Sequence, residues 1–310
     1  MSNIVKSWIL LIILSIIWGS SFILMKQGMY GDAGALIFSA PQVGALRMLI
    51  ASTLLLPWAI KAWTGLKSTK DLIYFSLVGT CGSFFPSFLF TYAETSITSG
   101  LAGMLNSFTP IFTIILGLLF FQQRLSNYQY FGALLGTVGI VLLILTGKQS
   151  ALSGDLTHIL AVVLATLCYA ISLSIIRYKL QHYSSMEVTS ISLSLIWVPS
   201  LIIVFLLETQ DVIYNNPLAT NGLTAILILA LFGTAVATIL LNTTIRLSSA
   251  LFASSVTYLM PIVSIFIGLQ FGESITGQQI GSMFIILLGI LLANLPSILA
   301  KQGNKNNALK

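Results

Sequence analysis

Two runs of polar side chains interrupt otherwise apolar segments, each at spacings that place it on one helical face. Asn106, Thr109, Pro110 and Thr113 form the first; Ser254, Thr257, Tyr258, Pro261 and Ser264 form the second. Residues three and four apart share a face of an α-helix. Amides and hydroxyls there can hold a solute by hydrogen bonds. They supply no nucleophile–base pair and no metal ligand set. A mid-helix proline has no N–H and frees a carbonyl one turn earlier, so Pro110 and Pro261 are candidate helix breaks or gates; the alternative is that they only kink packed helices. Ser83, Ser87 and Thr91 step by four, as do Thr234, Thr238 and Asn242. Packing and cavity readings are level for these, because Ser and Thr often bond their own helix. Asn242 leads them as a ligand contact, since its amide has four hydrogen-bond sites to satisfy.

Trp18 with Ser21, and Tyr169 with Ser172, end two other apolar runs. Aromatic residues near helix ends default to an interfacial belt; the neighbouring serines favour a cavity wall that stacks on an organic solute. Arg47 falls inside a segment, about a turn from its end. Snorkelling, or a structural pair with Glu94 or Glu273, is favoured over ligand contact. Arg47, Glu94 and Glu273 are thus candidate coupling or mouth charges. Cys81, Cys168, His158 and His182 show no metal-ligand spacing. No serine elbow or phosphate loop is present, and no cofactor is expected.

Most of these positions occur twice, about 151 residues apart. Gly103, Asn106, Pro110 and Thr113 match Ser254, Thr257, Pro261 and Ser264; Trp18 matches Tyr169, Gly82 matches Gly233, and Thr91 matches Asn242. Duplicated halves in an apolar chain mark transporters whose two packings exchange around a shared site.

The 310 residues are 56% apolar and 7% charged, with a mean hydropathy of +0.98, against about 25% charged in soluble domains. Ten runs can cross a bilayer core of about 30 Å: Trp8–Met25, Val43–Ile60, Leu72–Ala93, Leu101–Phe121, Tyr130–Thr146, Leu156–Ile176, Val188–Leu207, Leu223–Thr244, Ala250–Phe271 and Ile280–Ala300. The net charge of +6 is not a nucleic-acid signature. With the termini on one side, that side carries 11 of the 14 Lys and Arg residues, the other only Lys26 and Lys148. Such bias puts both termini in the cytoplasm. Five helices per half make the second copy enter upside down. The loop after the second helix has Lys61, Lys67 and Lys70, while its counterpart has Glu208 and Asp211.

The expected fold is an all-α polytopic membrane protein of ten transmembrane helices in two inverted five-helix repeats. They span residues 1–148 and 156–300, with a linker at 149–155 and a disordered cytoplasmic tail at 301–310. Gly132, Gly136 and Gly139, and Gly281, Gly289 and Ala293, form small-residue stripes for close packing or a homodimer face.

The run Trp18-Gly19-Ser20-Ser21-Phe22, then Arg47, then Ala102 with Pro110-Ile111-Phe112, then Pro261-Ile262-Val263 and Gly272-Glu273-Ser274-Ile275-Thr276, resembles the EamA-type branch of the drug/metabolite transporter superfamily. The resemblance covers nearly the whole chain. It implies ten helices, cytoplasmic termini and export of small metabolites or drugs through a central cavity. One departure is that the Gly-Glu usual after the fourth helix is Gln122-Gln123 here.

The expectation is a bacterial inner-membrane exporter of a small organic solute, amino-acid-like, nucleobase-like or a drug, working by alternating access. Its cavity wall is aromatic, hydroxyl- and amide-bearing rather than charged, and comes from the first, third, fourth, sixth, eighth and ninth helices. Its partners are the solute and the bilayer, not nucleic acid, and it is a monomer or homodimer. A channel, a sensory subunit or an intramembrane lipid-modifying enzyme are the rivals.

Overall fold

A computed structural model describes residues 3–31, 34–121, 126–147, 156–273 and 276–307. Ten principal helices follow one another: α1 Asn3–Met29, α2 Ala40–Trp63, α3 Thr69–Ala93, α4 Ser99–Phe121, α5 Asn127–Gly147, α6 Leu156–Lys179, α7 Ser185–Leu206, α8 Ala219–Leu247, α9 Ala250–Gln270 and α10 Gly277–Asn307. Among the described residues there is no strand, only an isolated bridge between Tyr30 and Leu36. Eight helices, α1–α4 and α6–α9, are long and apolar enough to cross a membrane. Two details differ from expectation. The long polar loop after α7 contains a short helix, Thr209–Asn215. The polar tail expected to be disordered continues α10 as helix to Asn307, through Gly303.

Helix starts repeat between the halves. Ser39 and Gln42 form a capping box before α2, and Ser184 and Glu187 form one before α7. Thr98 accepts from the Leu101 N–H at the start of α4, and Ser249 from the Phe252 N–H at the start of α9. Each such cap is worth about 1 kcal/mol.

Packing repeats too, with the halves exchanged. Helix α1 lies on α8 and α9, and its counterpart α6 lies on α3 and α4; α2 pairs with α7, and α5 with α10. The loops reveal the inversion. The α1–α2 loop meets the α7–α8 loop, where the Asn216 amide donates to the Leu36 carbonyl at 3.3 Å. The α6–α7 loop, counterpart of the α1–α2 loop, sits with the α2–α3 loop instead: the Lys67 ammonium donates to the His182 carbonyl at 3.0 Å. One copy is therefore upside down relative to the other. Most of the small-residue stripes of α5 and α10 face each other inside the chain, whereas Gly281 lies in open space. A Cβ on Gly139 would lie 2.8 Å from the Ile286 nitrogen, and one on Gly132 would lie 2.8 Å from the Ala293 Cα. That contact uses Gly132, Gly139, Gly289 and Ala293 for close packing within one chain.

Candidate functional site

Three kinds of interruption open the centre of the bundle. In α3 the backbone widens to a π-helix over Thr80–Phe84, and in α8 over Leu231–Val236, at equivalent positions of the repeat. Such widenings release backbone groups from the regular ladder and recur at functional sites. Each carries a glycine against the opposite half: Gly233 on Ser21 of α1, where a Cβ would come within 2.8 Å of Oγ, and Gly82 on Ser172 of α6. Helix α4 is broken by a 3-10 turn at Asn106–Phe108 just before Pro110, and α9 by a turn at Ser255 ahead of Pro261. The proline logic holds at both. The Asn106 carbonyl, one turn before Pro110, accepts from the Thr109 hydroxyl at 3.0 Å. The Thr257 carbonyl, one turn before Pro261, accepts from the Ser107 hydroxyl of α4 at 3.0 Å. A buried carbonyl left without a donor costs about 1–3 kcal/mol, so Ser107 ties α4 to α9.

Between these breaks lies a cavity. Of the residues singled out from sequence, Trp18, Ser21, Arg47, Gly82, Ser83, Asn106, Thr109, Tyr169, Ser172, Thr238, Asn242, Ser254 and Thr257 line it. Thr91 and Tyr258 do not. The Thr91 hydroxyl bonds its own helix at the Ser87 carbonyl, 2.9 Å away, and Tyr258 belongs to the apolar core. Pro110 and Pro261 are buried behind the wall. Tyr169 stacks on Phe90, with ring centroids 5.8 Å apart. Trp18 is pinned by its indole N–H, which donates to the Gly233 carbonyl at 2.9 Å. Sequence reading missed Phe22, Met25, Phe90 and Met260, whose helical spacing is indistinguishable from core packing. It also missed Thr189 and Ser192 of α7, although two polar residues three apart in an apolar helix were a usable signal. Helices α2 and α7 thus join the six expected to form the wall.

Arg47 requires the largest correction. It is 7% exposed and turns inward rather than snorkelling. Its Nε donates to Thr234 Oγ1 at 2.8 Å and its Nη2 to the Gly233 carbonyl at 3.3 Å. The π-helix of α8 supplies both acceptors. Neither Glu94 nor Glu273 pairs with it; both belong to another cluster. The cavity wall therefore carries one full positive charge.

That other cluster closes the bundle at the end of α1, α3 and α9. Lys26 Nζ lies 2.8 Å from Glu273 Oε1 and 3.9 Å from Glu94 Oε2. The Glu273 carboxylate also accepts the Ser99 and Gly100 N–H groups at 2.9 and 3.2 Å, so it caps the positive N-terminus of α4. The Ser99 hydroxyl donates to Glu94 Oε2 at 3.1 Å. Burial pushes the Glu94 carboxyl up to about 8, against the opposing pull of Lys26 and with Glu273 adding to the rise. Burial also raises Glu273, but the Lys26 bond, the Ser99 N–H, the Lys26 charge and the Gly100 N–H outweigh it and hold it below the usual range. At the opposite end Tyr183 is the hub. Its hydroxyl donates to Asp71 Oδ2 at 2.7 Å and accepts the Lys67 N–H at 2.8 Å, while its carbonyl accepts Arg246 Nη1 at 2.7 Å. The cavity extends from Trp18 and Phe22 toward this Tyr183 end, reaching Ile176, Thr189 and Ala253.

Comparison with known proteins agrees with this architecture. The model of the EamA-like transporter family matches residues 6–145 and again 156–295, so the repeat is matched twice. An uncharacterized transporter of Bacillus subtilis, YdfC, is 29% identical over 159 residues, which span 51% of this chain and 48% of that one. A protein of Salmonella typhimurium named a probable amino-acid metabolite efflux pump is 25% identical over 93% of this chain and 94% of its own. One solved crystal structure shares the fold, with a TM-score of 0.63 at 14% identity, covering 93% of this chain and 97% of that one. Matched in both halves, with the inverted packing, the paired interruptions and the central cavity in place, the chain belongs to the EamA-like transporter family.

Proposed function

We propose that this membrane transporter exports a small organic metabolite or drug, of amino-acid-like or nucleobase-like chemistry, by alternating access through the central cavity. The observation that carries the reading is the cavity itself: largely apolar and aromatic with a few hydroxyl and amide groups, set between inverted repeats, and built by matched helix interruptions. Two similar packings of such halves can expose one site to either side in turn. The name of the Salmonella relative favours amino-acid-like solutes. Residues 1–148 and 156–300 act as the repeats, and one chain holds the whole cavity, so a monomer suffices.

The charge distribution supports insertion in the bacterial inner membrane with both termini in the cytoplasm. In that orientation the Lys26 cluster is an outer latch, and the cavity opens toward the cytoplasm. Glu94 is the coupling group. A proton taken from outside leaves Lys26 and Glu273 as a neutral pair beside an uncharged Glu94 and favours closure; its loss leaves two carboxylates on one ammonium and favours opening. That sign suits export driven by inward proton movement. The test is counterflow in proteoliposomes against panels of amino acids and nucleobases. Saturable uptake accelerated by solute inside is expected; flux that neither saturates nor shows counterflow would establish a channel instead.

A further inference from the structure

Resting on that transport reading, we propose that the carried solute bears a carboxylate and that Arg47 anchors it within the cavity. The guanidinium is permanently charged and carries five N–H donors. Thr234 and the Gly233 carbonyl accept from two of them, and the third contact is Met25 Sδ at 3.8 Å, a weak acceptor. No acid among the described residues lies within ion-pairing distance of it. Asp71 is held by Tyr183, Glu94 and Glu273 by Lys26, and Glu187 caps α7. Among the described residues, no Asp or Glu lines the cavity. A charge buried this far is costly unless paired, and a planar carboxylate fits a guanidinium fork with two parallel bonds.

A second observation points to the same ligand. Asn242 Oδ1 and Ser192 Oγ, both from residues lining the cavity, are buried without hydrogen-bond partners. The Asn242 amide nitrogen is already committed to Thr189 Oγ1 at 2.8 Å, which leaves its oxygen as an acceptor. Asn242 follows Thr234 by two turns of α8, about 12 Å along a helix axis at ~1.5 Å per residue. A solute with its carboxylate on Arg47 and a donor such as an amine near Asn242 would span that interval. Its apolar body would lie against Trp18, Tyr169 and Met260, which also line the wall. An acid whose amine or other donor sits at the far end of an apolar body, such as an amino-bearing aromatic acid, has this layout; an α-amine beside its carboxylate does not reach Asn242, and a lipophilic cation lacks the anchor.

The test compares matched acids and amides on the wild-type protein. Each of the twenty protein amino acids, with its carboxamide, is assayed by thermal shift in detergent. The series 3-phenylpropionate, 3-phenylpropanamide and 3-phenylpropylamine is run beside them. At least one acid is expected to stabilise the protein, its amide requiring at least ~10-fold more for the same shift, and the amine giving none. Arg47→Lys should keep the acid preference at weaker affinity, while Arg47→Gln should abolish the preference rather than all binding. If Arg47→Gln does not fold, the wild-type pairs still decide. Amides that bind as well as their acids would overturn the anchor, as would failure of every acid to bind. Counterflow of a neutral or cationic solute would refute the anchor and leave the transport reading intact. Binding of acids with no counterflow would do the reverse.

Discussion

Glu94→Gln should remove the pH dependence of the outer latch. In the closed latch the Glu94 carboxyl is pushed up to about 8 by burial, from an ordinary 4.5. An opened latch lets water reach it, so its value there returns toward 4.5. Between those values the closed state binds more protons than the open one. Its stability is therefore complete below about pH 4.5 and falls as pH rises to about 8. Over that window the difference amounts to on the order of 4–5 kcal/mol at ~1.4 kcal/mol per pH unit. Glu273, held below the ordinary range, titrates below that window and opposes nothing within it. The assay is the distance between spin labels at Ser96→Cys and Phe271→Cys, both exposed positions beside the latch, with Cys81 and Cys168 replaced by alanine. From pH 5 to pH 9 the distribution should move toward longer distances in the parent and stay fixed near its low-pH form in Glu94→Gln. A parent whose distances ignore pH, or a variant that responds as the parent does, would refute the assignment of Glu94 as the titrating group.

Other substitutions separate the roles of neighbouring residues. Glu273→Gln removes a buried partner of Lys26 and weakens the cap on α4, so the latch should lose about 2–4 kcal/mol and sit open at every pH in the same distance measurement. Ser107→Ala leaves the Thr257 carbonyl without its donor and should cost about 1–2 kcal/mol in reversible denaturation, with transport retained. Gly139→Val forces α5 from the Ile286 backbone and should destabilise by at least ~2 kcal/mol, visible as a lower thermal midpoint. Asn242→Ala should weaken solute binding about fivefold to tenfold, whereas Tyr258→Phe, lying behind the wall, should bind normally.

The repeat, the inversion and the proline breaks were all legible in the chain, because each rests on residues that recur at one interval or on charges that change side. Asn106, Thr257 and Asn242 could be placed at the centre for the same reason. The π-helices at Thr80–Phe84 and Leu231–Val236 were not legible. A one-residue widening leaves hydrophobic periodicity almost unchanged, and its only trace was the matched pair Gly82 and Gly233. Arg47 was misread because its place in α2, seven residues after Ala40, says nothing of where a long flexible side chain ends. It turns inward because a widened helix on the other repeat offers a carbonyl and a hydroxyl. The latch was hidden for another reason: Lys26, Glu94, Ser99 and Glu273 lie at the ends of different elements, and only the packed loops bring them together. Thr91 shows the limit of spacing alone: it suited a cavity face and a packing role equally, and its hydroxyl bonds its own helix.

Alternating access is tested most directly by the accessibility of one cavity position from each side of the membrane. Asn106→Cys, at the centre of the wall and with Cys81 and Cys168 replaced by alanine, is labelled by a membrane-impermeant thiol reagent applied outside or inside oriented vesicles. In the parent latch, labelling from the cytoplasmic side should dominate. Adding Glu273→Gln should raise the outer rate and lower the inner rate together. Rates that rise on both sides at once, or an inner rate that ignores the latch, would contradict a single site exposed to one side at a time.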